Sequence, residues 1–413
     1  MKKIWIIGGG PAGMMAAISA SEAGAEVTLV EKNEKLGKKL YITGKGRCNV
    51  TNAAPMEDFF GEVVSNPKFL FSAFRAFTNE DMKRVLEEEG CPLKEERGAR
   101  YFPVSDRSSD VTAALQRRMK RDGVRIRLNT EVKELLTEED PEGKKRVTGL
   151  RLSDGSTPAA DAVILATGGC SYPSTGSTGD GYAFAKKLDL QVTEPVPSLV
   201  PLECKGDECR KMQGLALKNV GFRLELDGKT RYDGFGEMLF THFGISGPLV
   251  LTASCYYNKP GKAVGIIDLK PALTPEELDK RLLRDLAEQP KKQWKNVCGG
   301  LLPSGMIPVF CARLSFSEER RACDITGAMR EEAVSLLKAF PLEITGKRPF
   351  AEAIITQGGL GVKGFSPSTM ECKQVAGLYA AGEVLDLDAH TGGFNLQIAW
   401  STGFLAGKSA AAE

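Results

Sequence analysis

Residues 4–31 read IWIIGGGPAGMMAAISASEAGAEVTLVE, and this stretch decides the fold. Ile4 to Ile7 form an apolar run that stops at Gly8-Gly9-Gly10, as a buried parallel strand entering a tight turn should. Small and apolar residues from Met14 to Ala23 then follow a helical pattern closed by Gly24, and Val27 to Val30 form a second short strand. The spacing predicts one βαβ unit with Gly8, Gly10 and Gly13 in the G-x-G-x-x-G positions. Gly8 permits the strand-to-helix turn, Gly10 lets a diphosphate reach the backbone, and Gly13 lets helix and strand pack closely. Pro11 and Ala12 open the helix, whose free N–H groups and positive dipole end would face the phosphates. Glu31 ends the second strand, where a carboxylate can accept hydrogen bonds from a ribose and disfavours a 2′-phosphate. A glycine turn alone is a weak signal. With a strand before it, a helix after it and an acid at this distance, it predicts a bound dinucleotide.

Three distant segments, two of which resemble flavoprotein motifs, tilt the choice toward FAD. Residues 162–169, AVILATGG, form an apolar strand ending in Ala166, Thr167, Gly168 and Gly169. Residues 377–383, GLYAAGE, form another that runs into Gly382 and Glu383. Residues 391–407, TGGFNLQIAWSTGFLAG, open a helix at Gly393, placing the N–H groups of Phe394, Asn395 and Leu396 where a flavin pyrimidine could be met. A dehydrogenase that binds only NAD has no need of these returns to one site. A second dinucleotide fingerprint is missing: Thr175 to Gly181 is glycine-rich but has no leading strand and no following acid, so it reads as a loop and helix start. NAD(P)H, as an electron donor, would therefore bind without a Rossmann module of its own.

Composition narrows the class. The chain has 413 residues, too many for one core, so two or three domains are expected. Its net charge of +2 and the spread of its basic residues speak for a small-molecule substrate and against a nucleic-acid partner, which needs clustered Lys and Arg. No apolar run reaches the length of a secretory or membrane-spanning segment, so the expected setting is cytoplasmic, with no membrane partner. Ten cysteines without such a segment point to reduced thiols. Cys204 and Cys209 have no second pair and no nearby His, and no metal site is expected.

The predicted fold is α/β: a discontinuous Rossmann-like FAD-binding domain interrupted by a β-barrel domain that itself carries a small helical insert. Residues 124–169 read as a strand, a hairpin across Asp154-Gly155 and the ATGG strand. Pro195, Pro197 and Pro201 mark an exit, and from about 202 to 272 short alternating runs turn at Asp227-Gly228, as in a small antiparallel barrel. Thr274-Pro275-Glu276-Glu277 is a capping box that starts a helix, a second helix covers Gly327 to Ala339, and GGLLPSGM at 299–306 reads as a flexible connector. The expected boundaries are 1–191 with 361–413 for the FAD domain, 192–272 with 338–360 for the barrel, and 273–337 for the helices.

With these motifs placed, the chain resembles the BaiN-like, or aminoacetone-oxidase-like, family of bacterial FAD-dependent oxidoreductases. The resemblance rests on GGGPAG at 8–13, TGKGRCNVTN at 43–52, RYFPVSDR at 100–107, ATGGCSYPSTGSTGDGY at 166–182, LFTHFGISGP at 239–248, TMECK at 369–373 and GLYAAGEVLDLDAHTGGFNLQIAW at 377–400. It implies that Lys32, Lys39, Thr43, Gly44, Gly46, Arg47, Cys48, Asn49 and Val132 join the glycine motifs in holding FAD. Two positions depart from the family pattern: Lys45, where glycine is usual, and His390, where a small residue is common.

A flavin carries the hydride, so the protein must seat a substrate on the ring and manage protons. His242 and His390 are proton-transfer candidates because imidazole titrates near neutral pH. Cys48 is a candidate redox thiol, and Tyr172 and Arg100 lie on loops that could rim a pocket. The expected activity is an NAD(P)H-linked reduction of an organic enone, with the family's bile-acid chemistry in view. The alternatives are an amine oxidase releasing hydrogen peroxide and, from a different class, a non-catalytic or tRNA-modifying flavoprotein.

Overall fold

A computed structural model of the chain describes residues 1–139, 141–259 and 261–412. These fall into two compact units: residues 1–198 with 350–413, and residues 199–349.

The first unit is built on the βαβ of the N-terminus: β1 (Lys3–Ile7), α1 (Pro11–Glu22) and β2 (Glu26–Val30). A five-stranded parallel sheet runs in the order Leu378–Ala380, Ala162–Leu165, β1, β2, Arg125–Arg127. Its inner strands are buried beyond their first residue because a parallel sheet is covered on both faces. Helix α1 is buried along nearly its whole length, as a helix apolar all round must be. The C-terminal helix Phe394–Ala411 lies against it so closely that a Cβ on Gly403 or Gly407 would stand 2.4 or 2.2 Å from the carbonyl oxygens of Ala12 and Ala16. That contact sets the middle of the C-terminal helix, at Gly403, beside the start of α1.

Three small sheets complete this unit. The hairpin Val132–Glu139 and Lys145–Leu152 pairs with Val375–Ala376, and Asp154-Gly155 makes a further turn just beyond it rather than the hairpin turn itself. Thr51–Asn52 pairs with Arg100–Pro103, which pairs with Leu93–Glu96. Val192–Ser198 pairs antiparallel with Ile355–Leu360. This last ribbon carries the first unit past the exit expected at residue 191 and makes it resume at 350 rather than 361. Its prolines are tolerated because the sheet has only two strands and its register shifts between Thr193 and Val196.

The second unit contains a closed six-stranded barrel in the order Leu202–Cys204, Gly244–Ser246, Lys229–Phe240, Ala216–Leu226, Ala263–Asp268, Phe340–Lys347. Between the last two strands come the helices Pro275–Glu288 and Gly327–Lys338, the first opened by the reciprocal Thr274–Glu277 capping box. Leu278, Leu282, Trp294 and Phe310 of this helical stretch share one apolar core with barrel residues such as Phe222 and Phe340. The segment 299–306 is not a loose connector: Leu301, Leu302 and Met306 are buried in that core. No helix among the described residues is long and apolar enough to cross a membrane.

Candidate FAD site

The crevice that a dinucleotide needs opens where the chain leaves the carboxyl ends of β1 and of Ala162–Leu165, on either side of which the topology diverges. Gly8 has φ +106°, and a Cβ there would stand 2.4 Å from the carbonyl oxygen of Ala166, so the first turn and the ATGG strand end are in backbone contact. A Cβ on Gly13 would lie 1.9 Å from the Gly8 oxygen. Gly10 is different: its φ of −80° suits any residue, and a Cβ there would meet no atom within 4 Å. That open volume lies directly over the start of α1, where a diphosphate requires space.

Glu31, buried behind this turn, accepts from the Gly9 N–H at 2.8 Å and from Asn33 through its backbone N–H (2.9 Å) and Nδ2 (2.7 Å). A carboxylate has about four acceptor positions, so one remains for a ribose hydroxyl. Asn33 also donates to the carbonyl of Thr175 at 3.0 Å, and Lys32 reaches Thr178 and Asp180, both at 2.6 Å. The 171–180 loop is thereby tied to the end of β2.

Glu383 is the hub of a second network. Its Oε1 accepts from Lys39 Nζ (3.1 Å), Ser171 Oγ (2.8 Å) and the Thr356 N–H (2.8 Å), and its Oε2 from Lys39 Nζ at 2.8 Å. Thr356 Oγ1 in turn accepts from the N–H groups of Cys170 (2.8 Å) and Ser171 (3.0 Å). Four segments far apart in sequence are thus fastened at one carboxylate. Ser171, Thr356 and Asn33 were not singled out in the sequence: Ser171 stood inside a motif read for its glycines, while Thr356 and Asn33 carry no local signal.

At the other helix start, Gly392 and Gly393 have φ of +137° and +101°. A Cβ on Gly393 would stand 2.5 Å from the Thr51 backbone. Asn49, in the amide orientation that satisfies both its ends, donates to the Thr51 carbonyl at 3.1 Å and accepts from the Gly393 N–H at 3.0 Å. The N–H groups of Phe394, Asn395 and Leu396 follow at the head of the 18-residue helix, which has no side-chain cap. Asn395 instead spends its side chain on the 389–390 loop, with Oδ1 accepting from the Ala389 N–H and Nδ2 donating to the carbonyls of Ala389 and His390.

The connecting loop 43–49 is wound in the left-handed sense. Gly44, Lys45, Gly46 and Cys48 all have positive φ, and Thr43 Oγ1 anchors the loop on the Leu40 carbonyl at 2.8 Å. Two of these are not glycine and carry the strain: buried Cys48, with φ +63°, and exposed Lys45, with φ +58°. Since a left-handed conformation costs a non-glycine residue about 1–2 kcal/mol and glycine returns part of that as chain entropy, Lys45→Gly should stabilise the protein by about 0.5–1 kcal/mol. The midpoint of urea denaturation would register it.

Cys48 is fully buried, and burial pushes its thiol up to about 12. Below that pH it is held neutral, the state of a packing residue. Native protein treated with iodoacetamide at pH 8 should therefore be labelled at the exposed Cys323 and not at Cys48, as peptide mass mapping would reveal.

The other candidates are dispersed. Arg47 lies over the Phe102 ring and is engaged by Glu96 (2.8 Å) and Asp106 (3.2 Å). Arg100 donates to the Arg97 carbonyl at 2.9 Å. His390 Nδ1 is 2.9 Å from Glu62 Oε2, and the His390 backbone N–H donates to the Glu62 carbonyl. Tyr172 is half-buried on the loop after ATGG, its phenol pushed up by burial and by Glu352. Val132 is buried at the start of the hairpin. His242 belongs to the second unit, exposed on the turn at 241–243.

Three features fit FAD to this crevice. Open space stands over Gly10, two helix starts offer unspent N–H donors, and the Thr167 hydroxyl, at the end of the ATG strand, is buried with no partner among the described residues. A bound dinucleotide would meet each of these needs.

Known proteins agree with this reading over the full chain. The model of the HI0933-like protein Rossmann domain family matches residues 2–409. The chain is 32% identical over 419 aligned residues to the 3-dehydro-bile acid delta(4,6)-reductase of Clostridium scindens, covering 100% of this chain and 99% of that protein. It is 30% identical to the ribosomal RNA dihydrouridine synthase of Haemophilus influenzae, over 97% of this chain and 96% of that one. The similarly named protein of Escherichia coli K12 is also 30% identical, with 96% and 95% covered. A glycine cradle over α1, a carboxylate at the end of β2 and a match of this extent lead to one conclusion: the chain belongs to the HI0933-like Rossmann family and is an FAD-dependent oxidoreductase.

Proposed function

We propose that the protein reduces a carbon–carbon double bond conjugated to a carbonyl in a small organic substrate, drawing electrons from NAD(P)H. The observation that carries this is the end-to-end similarity to a reductase whose name describes a delta(4,6) bile-acid substrate. When bound, FAD supplies the hydride chemistry. The chain's own part is to seat the dinucleotide across the starts of α1 and of the Phe394–Ala411 helix and to deliver a proton.

Tyr172 is the proton donor we favour. It stands half-buried on the loop that follows the ATGG strand end, and a phenol has a proton to give at physiological pH. Tyr172→Phe should leave reduction by NAD(P)H unchanged and slow reoxidation by an enone about 100-fold, the lower range for loss of a general acid. Stopped-flow absorbance of the two half-reactions separates these effects.

A second reading has its own support, since two relatives of nearly full coverage are named for dihydrouridine synthesis in ribosomal RNA. The chemistry is shared: uracil, like an enone, has a double bond conjugated to a carbonyl. Composition speaks for the small molecule, and so does the loop after β2, where Lys32, Lys39 and Arg47 are each matched by a carboxylate rather than offered to phosphates.

The deciding experiment is anaerobic reduction of the yellow protein with NADH and NADPH, followed by 3-oxo-4,6-diene steroids, primary amines and unmodified ribosomal RNA in turn. Rapid reoxidation by the steroid supports the first reading. Dihydrouridine detected in RNA digests would favour the second, and bleaching by an amine with peroxide release would replace both with an oxidase.

A further inference from the structure

A cavity of about 290 Å³ lies within the second unit, where the barrel meets the helical stretch. Its walls are Leu217 and Val220 of the Ala216–Leu226 strand, Leu269 just after the Ala263–Asp268 strand, and Leu301 and Leu302. Two lysines line it as well: Lys218, exposed at the rim, and Lys270, half-buried.

The electrostatics of this seam are unbalanced. The Lys270 ammonium has no hydrogen-bond or ion-pair partner among the described residues, and burial and the nearby Arg281 together push it below the ordinary lysine range. Arg281 donates through Nη2 to the Gly300 carbonyl at 3.0 Å. Its Nε is buried without a hydrogen-bond partner among the described residues, the Asp285 carboxylate standing 3.6 Å away. The one acid beside Lys270 in sequence is already spent: Asp268 accepts from the Lys270 N–H at 2.9 Å and from Lys338 Nζ at 2.7 Å. Asp285 is shared between Arg281 and Arg284. A half-buried, unpaired ammonium with a second cation nearby therefore adjoins a leucine-lined hollow.

An anion would relieve two costs at once: desolvation of Lys270 and its repulsion by Arg281. A bare phosphate or sulfate would leave the leucine walls wet, whereas a wholly apolar molecule would leave the ammonium unpaired. We propose that this seam is a binding site for a small amphipathic carboxylate, with its head on Lys270 and its apolar body between Leu217, Leu269, Leu301 and Leu302. The site lies wholly in the second unit, and its assignment does not rest on the reaction proposed above. Its volume, just under the usual range for drug-sized ligands, restricts it to compact molecules.

The test is calorimetric titration of the full-length, FAD-loaded protein with sodium octanoate, 1-octanol and inorganic phosphate. Saturable one-to-one binding of octanoate, at least tenfold tighter than octanol and with no saturable heat from phosphate, is expected, and the flavin absorption spectrum should not change. Lys270→Met should weaken octanoate at least tenfold, and Lys218→Glu, at the exposed rim, several-fold. On protein with ¹³C-methylated lysines, octanoate should raise the Lys270 titration midpoint toward the ordinary lysine range. That measurement needs no variant and so stands even if Lys270→Met does not fold. Octanoate that fails to saturate, binds no better than octanol, leaves the Lys270 midpoint unmoved, or perturbs the flavin spectrum in proportion to its binding would overturn the assignment.

Discussion

Gly10→Val is expected to give a folded, colourless protein, while Gly13→Val is expected to give little folded protein at all. Both residues belong to one fingerprint, yet the structure assigns them opposite burdens. Gly10 has an ordinary φ and no neighbour where a side chain would go, so valine costs the apoprotein almost nothing. It does fill the space above α1 that a diphosphate must occupy, keeping the phosphates from the helix N–H groups. Affinity for FAD should fall about 1,000-fold or more, equivalent to roughly 4 kcal/mol. At Gly13 a side chain would stand 1.9 Å from the Gly8 carbonyl oxygen, a backbone atom held by the central strand. Such overpacking costs about 3 kcal/mol or more before any cofactor is considered. Thermal unfolding followed by circular dichroism, with the 450-nm absorbance of the purified variants, gives both answers. A Gly10→Val protein that stays fully yellow would remove the dinucleotide from this turn.

The second large effect is expected at Lys39. Its ammonium neutralises Glu383, and both side chains are about one-fifth exposed, at 20% and 21%. Lys39→Met would leave that carboxylate with only the Ser171 hydroxyl and the Thr356 N–H, an uncompensated charge costing about 3 kcal/mol, the low end for a buried pair because some water reaches it. Replacing both partners, as in Lys39→Met with Glu383→Gln, should cost less than Lys39→Met alone because no charge is then stranded. Denaturant titration of the single and double variants measures the difference. If the double variant is the less stable, Glu383 is not held chiefly by Lys39.

Much of this site is legible along the chain because its constraints are local. Gly8, Gly10 and Gly13 are dictated by a turn six residues long, and the Thr274 capping box by one turn of helix. Convergence is not legible. Nothing near Lys39 in sequence announces Glu383, and nothing near Ser171 announces Thr356, since each pair is joined only when segments far apart in the chain fold together. Cys48 illustrates the same limit: a cysteine beside Arg47 reads as an accessible thiol until the loop folds it inward, where burial raises its pKa and stills its chemistry. His390, read as a proton-transfer candidate, is engaged by Glu62 from 328 residues away in sequence. The prolines of Val192–Ser198 read as an exit, yet that segment forms a ribbon with Ile355–Leu360, a partner visible only in three dimensions.

The order of the residues was by itself enough to establish an adenine-dinucleotide fold, the glycines that shape its phosphate turn and the acid that answers them. Short-range sterics and periodicity, acting over a few residues, leave little freedom there. Tertiary structure alone decided which charges neutralise one another, which thiol is silent and where an unpaired lysine meets a leucine-lined hollow. Those properties depend on burial and on separations in space, which a linear chain does not encode locally.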